Sequence, residues 1–131
     1  MLEELSKKEK QIMFDKIEDV FTGLLKTCNI IDYNFAIQDD LENKDEYKTL
    51  GVEVSYPYRF ITLWVRSGIV SYYKEKNWDV IKRIMFHEIF HILTWEMREI
   101  ALKRWATEEQ FSNAEESAAE KFSIFMERLT I

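Results

Sequence analysis

The chain has 131 residues, 47% of them hydrophobic, which is enough for one domain with a single core and too few for a second catalytic or DNA-binding domain. Its 24 acidic and 18 basic residues give a formal net charge of −6 and are spread along the sequence, without the basic clusters that bind a phosphate backbone. We therefore expect one domain, residues 1–131, that binds no nucleic acid.

The N-terminus and the cysteine content indicate the compartment. Residues 1–8 are charged where a secretion signal is apolar, and no run approaches the roughly 18–20 apolar residues of a membrane span. The single cysteine, Cys28, cannot form an internal disulfide and is interpreted as a small buried apolar residue. These features predict a cytoplasmic protein with no membrane contact.

Apolar periodicity predicts a helix and then a strand in the first third of the chain. From about Ser6 to Thr27, apolar residues recur mostly at helical spacing. Residues 31–37 alternate between apolar and polar or small side chains, as a strand with one face in the core does. The polar residues 39–48 that follow have the composition of a surface loop.

One further strand is expected on each side of Pro57, which is the only proline in the chain. They are the short apolar stretches Val52–Tyr56 and Phe60–Val65. Because Pro57 cannot donate a sheet hydrogen bond, it marks a turn or an edge between them. Together with residues 31–37, these segments predict a small three-stranded sheet.

A long helix is predicted from Asn77 or Trp78 to Trp105, and it contains both histidines of the chain. Apolar residues lie on almost every side of this helix, which places it in the interior of the domain. His87 and His91 are four residues apart, so their imidazoles leave the same face and can reach one ion. Buried imidazoles need a compensating partner, and a metal ion is the simplest one.

Between the histidines, Glu88 lies about 100° around the helix from His87, where its carboxylate can take the proton of a metal-bound water without being a ligand. Neutral imidazoles bind zinc, and a third protein ligand leaves the fourth position for that water. The pattern therefore predicts a Zn²⁺ site with Glu88 as the catalytic base. The alternative is that the pentapeptide arose by accident and that both histidines are hydrogen-bonded core residues.

The third ligand is expected to be a carboxylate, because there is no third histidine and the one cysteine lies far upstream. Glu115 and Glu116 are the candidates, on a helix near the C-terminus. Glu116 is favoured because Glu120 follows it on the same face and can accept the free ring N–H of a liganding histidine. The residue four positions after Glu115 is Ala119, which cannot accept a hydrogen bond from a histidine ring. The small residues Ala119 and Ser123 would let the two helices approach closely.

This last helix begins at one of two capping boxes, residues 107–110 or 112–115. Its predicted buried face is an apolar stripe with three- and four-residue spacing, and Glu116 lies beside the edge of the stripe. The stripe consists of Phe111, Ala114, Ala118, Phe122, Phe125 and Leu129. A solvated acidic face is the alternative interpretation of any single glutamate here.

The motif HEIFH at residues 87–91, followed by E-x-x-A-x-x-F at residues 116–122, resembles the gluzincin branch of zinc metallopeptidases. More narrowly, it is similar to small ImmA/IrrE-type and phage-encoded metallopeptidase-like proteins. The resemblance covers residues 84–125 and, more loosely, the order of the strands before them. In such proteins the position of Glu120 is usually Asn or Asp.

The resemblance implies a zincin-like core in which His87, His91 and Glu116 bind zinc and Glu88 is the base. Such proteins usually present an edge strand to an extended peptide, which suggests Phe60–Val65 as the strand on the substrate side; an inner strand is the equal alternative. Hydrolases of this kind also use a Tyr, His or Arg donor to stabilise an oxyanion. Arg66, Tyr72 and Tyr73 are candidates, and spacing selects none of them.

We therefore expect an α+β fold of zincin-like type: an N-terminal helix, a small three-stranded sheet, a central HExxH helix and a C-terminal helix with a glutamate ligand. The expected function is hydrolysis of peptide bonds in a protein or peptide substrate by a zinc-bound water that Glu88 activates. One alternative is a protein-interaction module whose zinc is structural, which would need four protein ligands. The other is a metal-free regulatory protein of a mobile element on a peptidase-like scaffold. Substrate identity and oligomeric state stay open.

Overall fold

The described residues form four helices and a small mixed sheet of three strands, so the predicted α+β class is confirmed. The computed structural model describes residues 5–31, 33–42, 47–55, 59–104 and 107–130. In chain order the elements are α1 (Lys7–Thr27), β1 (Asn34–Asp40), β2 (Leu50–Ser55), β3 (Phe60–Arg66), α2 (Ile69–Lys74), α3 (Trp78–Arg104) and α4 (Glu108–Thr130). Tyr56, Pro57 and Trp105, expected at a strand end, a turn and a helix end, lie outside the described residues.

Helix α1 begins with a capping box. Ser6 Oγ accepts a hydrogen bond from the backbone N–H of Glu9 at 3.2 Å, and Glu9 Oε1 accepts one from the backbone N–H of Ser6 at 3.3 Å. The predicted helix is confirmed, and its buried face consists of Met13, Phe14, Ile17, Phe21 and Leu25. Cys28, expected to be buried, is half-buried, and desolvation raises the pKa of its thiol.

The strands lie in the order β1-β3-β2, with β1 parallel and β2 antiparallel to β3. Since β3 has a neighbour on each side, the suggestion that Phe60–Val65 faces the substrate as an edge strand is wrong. Its buried Ile61, Leu63 and Val65 alternate with more exposed residues and give it one strongly apolar face. Strand β2 is the edge strand that packs against α3.

Strand β1 begins at Asn34 rather than at Ile31, and it includes two aspartates that were expected in a loop. Its parallel pairing with β3 continues as far as Asp40, whose neighbour across the ladder is Arg66. Asp40 Oδ2 accepts a hydrogen bond from Arg66 Nε at 3.1 Å. This ion pair explains why the polar end of the segment remains in the sheet.

One face of the sheet packs with α1 and α3 into a single hydrophobic cluster. Helix α3 has the predicted bounds on its described residues and contributes side chains from several turns. The fully buried members from the sheet and α3 are Ile61, Leu63, Val65, Ile81, Met85, Phe86 and Ile89. The opposite face of the sheet carries Gly51, Thr62, Trp64 and Arg66, which are half-buried. This division between two faces is typical of a sheet with an antiparallel edge.

The connection expected at residues 67–77 contains a short helix, α2, which the sequence did not predict. Six residues are too few for a helical period to be visible. Ile69 and Val70 are buried in the core and hold α2 against the sheet. Tyr73 packs the edge of its ring against Trp78, with the ring centroids 6.1 Å apart.

Helix α4 uses the first of the two predicted capping boxes: Thr107 Oγ1 accepts a hydrogen bond from the Gln110 N–H, and Gln110 Oε1 accepts one from the Thr107 N–H, both at 3.1 Å. The predicted apolar stripe is wrong in part, because Phe125 and Leu129 are 58% and 63% exposed. The buried positions are instead Glu115, Ala119 and Ser123. These three residues form a narrow, partly polar face of α4 that packs against α3.

Candidate metal centre

The two histidines lie side by side on α3, as their four-residue spacing requires. Their ring centroids are 5.0 Å apart, and the side chains of His87 and His91 are only 21% and 14% exposed. Both rings face α4, across a contact in which Ala119 and Ser123 are fully buried. Because neither residue has a large side chain, the carboxylates of α4 come within reach of the imidazoles.

The carboxylate of Glu116 on α4 lies close to the Nε2 atom of each histidine. Glu116 Oε2 lies 3.1 Å from His87 Nε2, and Glu116 Oε1 lies 2.9 Å from His91 Nε2. One ligand atom from each of the three residues lies within 4.8 Å of the others. Ligands of one tetrahedral zinc ion at about 2.0–2.1 Å are roughly 3.3 Å apart, so this spacing fits a shared ion after small adjustments.

The other ring nitrogens face two more carboxylates of α4. His87 Nδ1 lies 3.2 Å from Glu120 Oε2, and His91 Nδ1 lies 3.3 Å from Glu115 Oε1. A proton on Nδ1 that is donated to a carboxylate leaves the Nε2 lone pair free for a metal and fixes the orientation of the ring. Glu120 thus lies beside the His87 ring nitrogen that does not face Glu116. In the proteins that the sequence resembles, this residue is usually Asn or Asp.

Sequence reasoning missed Glu115, for which it found no outer partner. Glu115 is 8% exposed, and its carboxylate accepts hydrogen bonds from Thr94 Oγ1 and, at 3.3 Å, from Arg98 Nη1. Arg98 also donates to Ser112 Oγ at 3.0 Å. The buried carboxylate is thus fixed from the α3 side, which holds it beside His91.

A signal for this network was present on α3. His87, His91, Thr94 and Arg98 follow one another at intervals of four, three and four residues, which places them in one row on the helix. A polar row on an otherwise apolar helix indicates a polar partner opposite. The sequence gives no indication of which α4 residue that partner is.

Glu88 faces the sheet instead of α4. The backbone N–H of Val52 on β2 donates a hydrogen bond to its carboxylate. Burial, and then the neighbouring charge of Glu116, raise the pKa of Glu88 to about 8, while the Val52 hydrogen bond and the Arg66 charge oppose the rise. A carboxylate with a raised pKa is a stronger base than an exposed glutamate.

A cleft of about 390 Å³ joins these groups to the edge of the sheet. It is lined by the metal-ligand candidates and Glu88 on one side and by Leu50, Gly51, Val52 and Arg66 on the other. Of the three candidates for the oxyanion donor, Arg66 and Tyr72 line an adjoining cleft together with His87 and Glu88. Tyr73 instead packs against Trp78.

Comparison with models of protein families, with curated proteins and with solved structures found no match to this chain. Among the described residues, no helix combines the length and the apolar character that a membrane crossing requires.

The raised pKa of Glu88 predicts a pH-dependent effect of Glu88→Gln on the metal-free protein. The folded state keeps the Glu88 proton up to about pH 8, whereas the unfolded state loses it near pH 4.5, so the native protein loses stability as the pH rises between these values. After treatment with a chelator, Glu88→Gln should therefore raise the melting temperature by several degrees at about pH 8.5 and change it little at about pH 5.

Thermal unfolding followed by circular dichroism at both pH values tests this prediction. Glu109→Gln, at an exposed position in the first turn of α4, is the matched control and should have no such effect. Equal shifts of the Glu88 variant at both pH values would contradict the prediction.

A second prediction concerns Glu115. Loss of a carboxylate that orients a liganding histidine typically weakens metal binding by about tenfold to hundredfold. We expect Glu115→Gln to weaken zinc binding by this factor, because the amide can donate to His91 Nδ1 and no longer fixes the tautomer. Competition with a chromophoric chelator measures the affinity, with Glu109→Gln again as the control. Wild-type affinity in Glu115→Gln would show that Glu115 has no effect on the site.

Proposed function

We propose that this protein is a zinc-dependent metallopeptidase with a zincin-like core, related to the small ImmA/IrrE-type and phage-encoded metallopeptidase-like proteins. In this proposal His87, His91 and Glu116 hold the zinc ion and Glu88 is the general base. The observation that carries it is the position of the Glu116 carboxylate, which approaches Nε2 of both histidines while their Nδ1 atoms face Glu115 and Glu120.

The charges around the site support a cation. The carboxylates of Glu115, Glu116 and Glu120 all lie within 3.3 Å of an imidazole nitrogen. Arg98 is the cation that pairs with Glu115, which leaves the carboxylates of Glu116 and Glu120 to be balanced. Imidazole and carboxylate donors in this number suit Zn²⁺.

The number of ligands favours catalysis over a structural role for the metal. A structural zinc site is normally closed by four protein ligands, whereas catalytic sites keep a position open. In the part of the chain that the structure describes, the side chains close enough together to share one ion are His87, His91 and Glu116, which makes three ligands. The cleft beside this group leaves room for a substrate.

The reaction assigned to the site is hydrolysis of a peptide bond. When bound, zinc would supply a Lewis acid for the scissile carbonyl and lower the pKa of water to near 7. Glu88 takes the proton of the attacking water and later donates it to the leaving amine. The Val52 N–H holds the Glu88 carboxylate in place for both transfers.

Among the described strands, β2 pairs with β3 alone, and its other edge supports an extended peptide as the substrate. The Arg66 N–H donates to the Thr49 carbonyl at 2.9 Å, so by alternation Gly51 also bonds to β3. The backbone groups of Leu50 and Val52 therefore face away from β3, towards the cleft. Because the Val52 N–H is bonded to Glu88, a peptide strand would pair with the backbone groups of Leu50 and with the Val52 carbonyl. Such main-chain hydrogen bonds give affinity with little dependence on sequence.

The first test of the proposal is the metal content of untagged protein, measured by mass spectrometry. We expect about one zinc per chain, which is lost or much weakened in His87→Ala and in Glu116→Ala, since each variant removes one of three ligands. Glu109→Ala, on the same helix as Glu116, is the matched control and should keep its zinc. Absence of zinc from the wild-type chain after incubation with the ion at neutral pH would refute the proposal.

The second test separates catalysis from metal binding. Glu88→Gln should retain zinc, because Glu88 is not a ligand, and should lose about 10²- to 10⁴-fold of the hydrolysis rate, which is the usual contribution of a general base. Release of fluorescent fragments from labelled, unfolded casein measures the rate. Zinc binding without any hydrolysis by the wild-type chain would favour a non-catalytic zinc protein.

A further inference from the structure

Gly51 on β2 lies directly under the guanidinium of Arg66. A β-carbon at position 51 would come within 3.1 Å of Arg66 Cζ and 3.3 Å of Nη2, and would lie still closer to Nη1. Gly51 does not have a positive φ, so its backbone conformation does not require glycine. A larger residue at position 51 would therefore have to displace the Arg66 guanidinium.

The position of Gly51 shows where the Arg66 side chain goes. Arg66 is on the central strand, and β2 lies between that strand and the cleft. Neighbouring strands are about 4.8 Å apart, which is less than the length of an arginine side chain. The guanidinium lies over Gly51 of β2, and Arg66 lines both clefts that contain His87 and Glu88.

The guanidinium is also held from its other side. Arg66 Nε donates to Asp40 Oδ2 on β1 at 3.1 Å, and the Arg66 side chain is 27% exposed. Among the described residues, the hydrogen bonds of this side chain involve Nε alone. The Nη1 and Nη2 groups carry up to four further N–H donors, and Arg66 lines the cleft beside β2.

We infer that Arg66 is a ligand-binding residue whose Nη groups bind an anionic oxygen of the molecule in the cleft beside Glu88. This inference rests on the proposed function. The oxygen can come from the tetrahedral form of the attacked carbonyl or from a carboxylate of the substrate, since a guanidinium binds either as a charge-assisted donor. A purely structural pair with Asp40 uses Nε alone and would not need the rest of the guanidinium to lie over Gly51 at the edge of the cleft.

The inference is tested by binding of three zinc-directed probes to the zinc-loaded protein, measured by calorimetry. The first is a phosphinic dipeptide with an amidated C-terminus, which mimics the tetrahedral form. The second is the same compound with a free C-terminal carboxylate. The third is acetohydroxamate, which binds zinc and is too small to reach across the cleft. Zinc content is measured for every variant.

Arg66→Met and Gly51→Ala are the two test variants, the second because its new β-carbon displaces the guanidinium without removing the charge. Each should weaken binding of the free phosphinic acid, and also of the amide if the tetrahedral oxygen is the partner, by about tenfold to hundredfold, as expected for the loss of a hydrogen bond between charged groups. Acetohydroxamate binding should be unchanged. Arg66→Lys should recover part of the loss. Arg128→Met, at an exposed position near the end of α4, is the matched control.

The outcomes are distinguishable. Weakening of both phosphinic probes supports the inference with the tetrahedral oxygen as the partner, and weakening of the free acid alone supports it with a substrate carboxylate as the partner. Unchanged binding of both phosphinic probes, or an equal loss for acetohydroxamate, overturns the inference while the proposed function stands. A wild-type chain that holds no zinc overturns both.

Discussion

The contact between α3 and α4 is the interaction on which the rest of the site depends. Helix α3 is apolar on nearly all sides, yet it carries two imidazoles into the interior, and buried polar groups are costly without partners. Helix α4 supplies three carboxylates opposite them, at 2.9–3.3 Å from the ring nitrogens. The fully buried Ala119 and Ser123 make this close approach possible. Neither helix could hold the site alone.

The carboxylates of α4 divide into two kinds according to exposure. The Glu115 side chain is 7% exposed and is fixed by Thr94 and Arg98, so it provides a rigid support behind His91. Glu116 and Glu120 are 59% and 56% exposed and lie towards solvent. A metal ligand at the open side remains accessible to an incoming ion, while the buried support limits the movement of the ring that it holds.

The sequence predicted those features that depend on local spacing. The common face of His87 and His91 follows from helical geometry, and the predicted capping box before α4 brings together residues only three positions apart. The role of Glu115 could not be predicted, because its partners lie on another helix and its i+4 neighbour is an alanine. The strand order was also hidden, since β3 and β2 differ little in local pattern and only long-range pairing makes β3 central. The buried face of α4 was misplaced because it is polar, which periodicity of apolar residues does not detect.

Because of their angular spacing on α3, the histidines and Glu88 within residues 87–91 face two different parts of the fold. The histidines face α4, whereas Glu88, about 100° around the helix, faces β2 and accepts a hydrogen bond from Val52. Metal binding therefore depends on packing between helices, and the base depends on the register of β2 against β3. Arg66 adds a third dependence, because its guanidinium lies over the glycine of β2 beside the cleft. A shift of β2 by one residue would thus displace Gly51 from beneath Arg66 and turn the Val52 N–H away from Glu88 at the same time, while leaving the metal ligands in place.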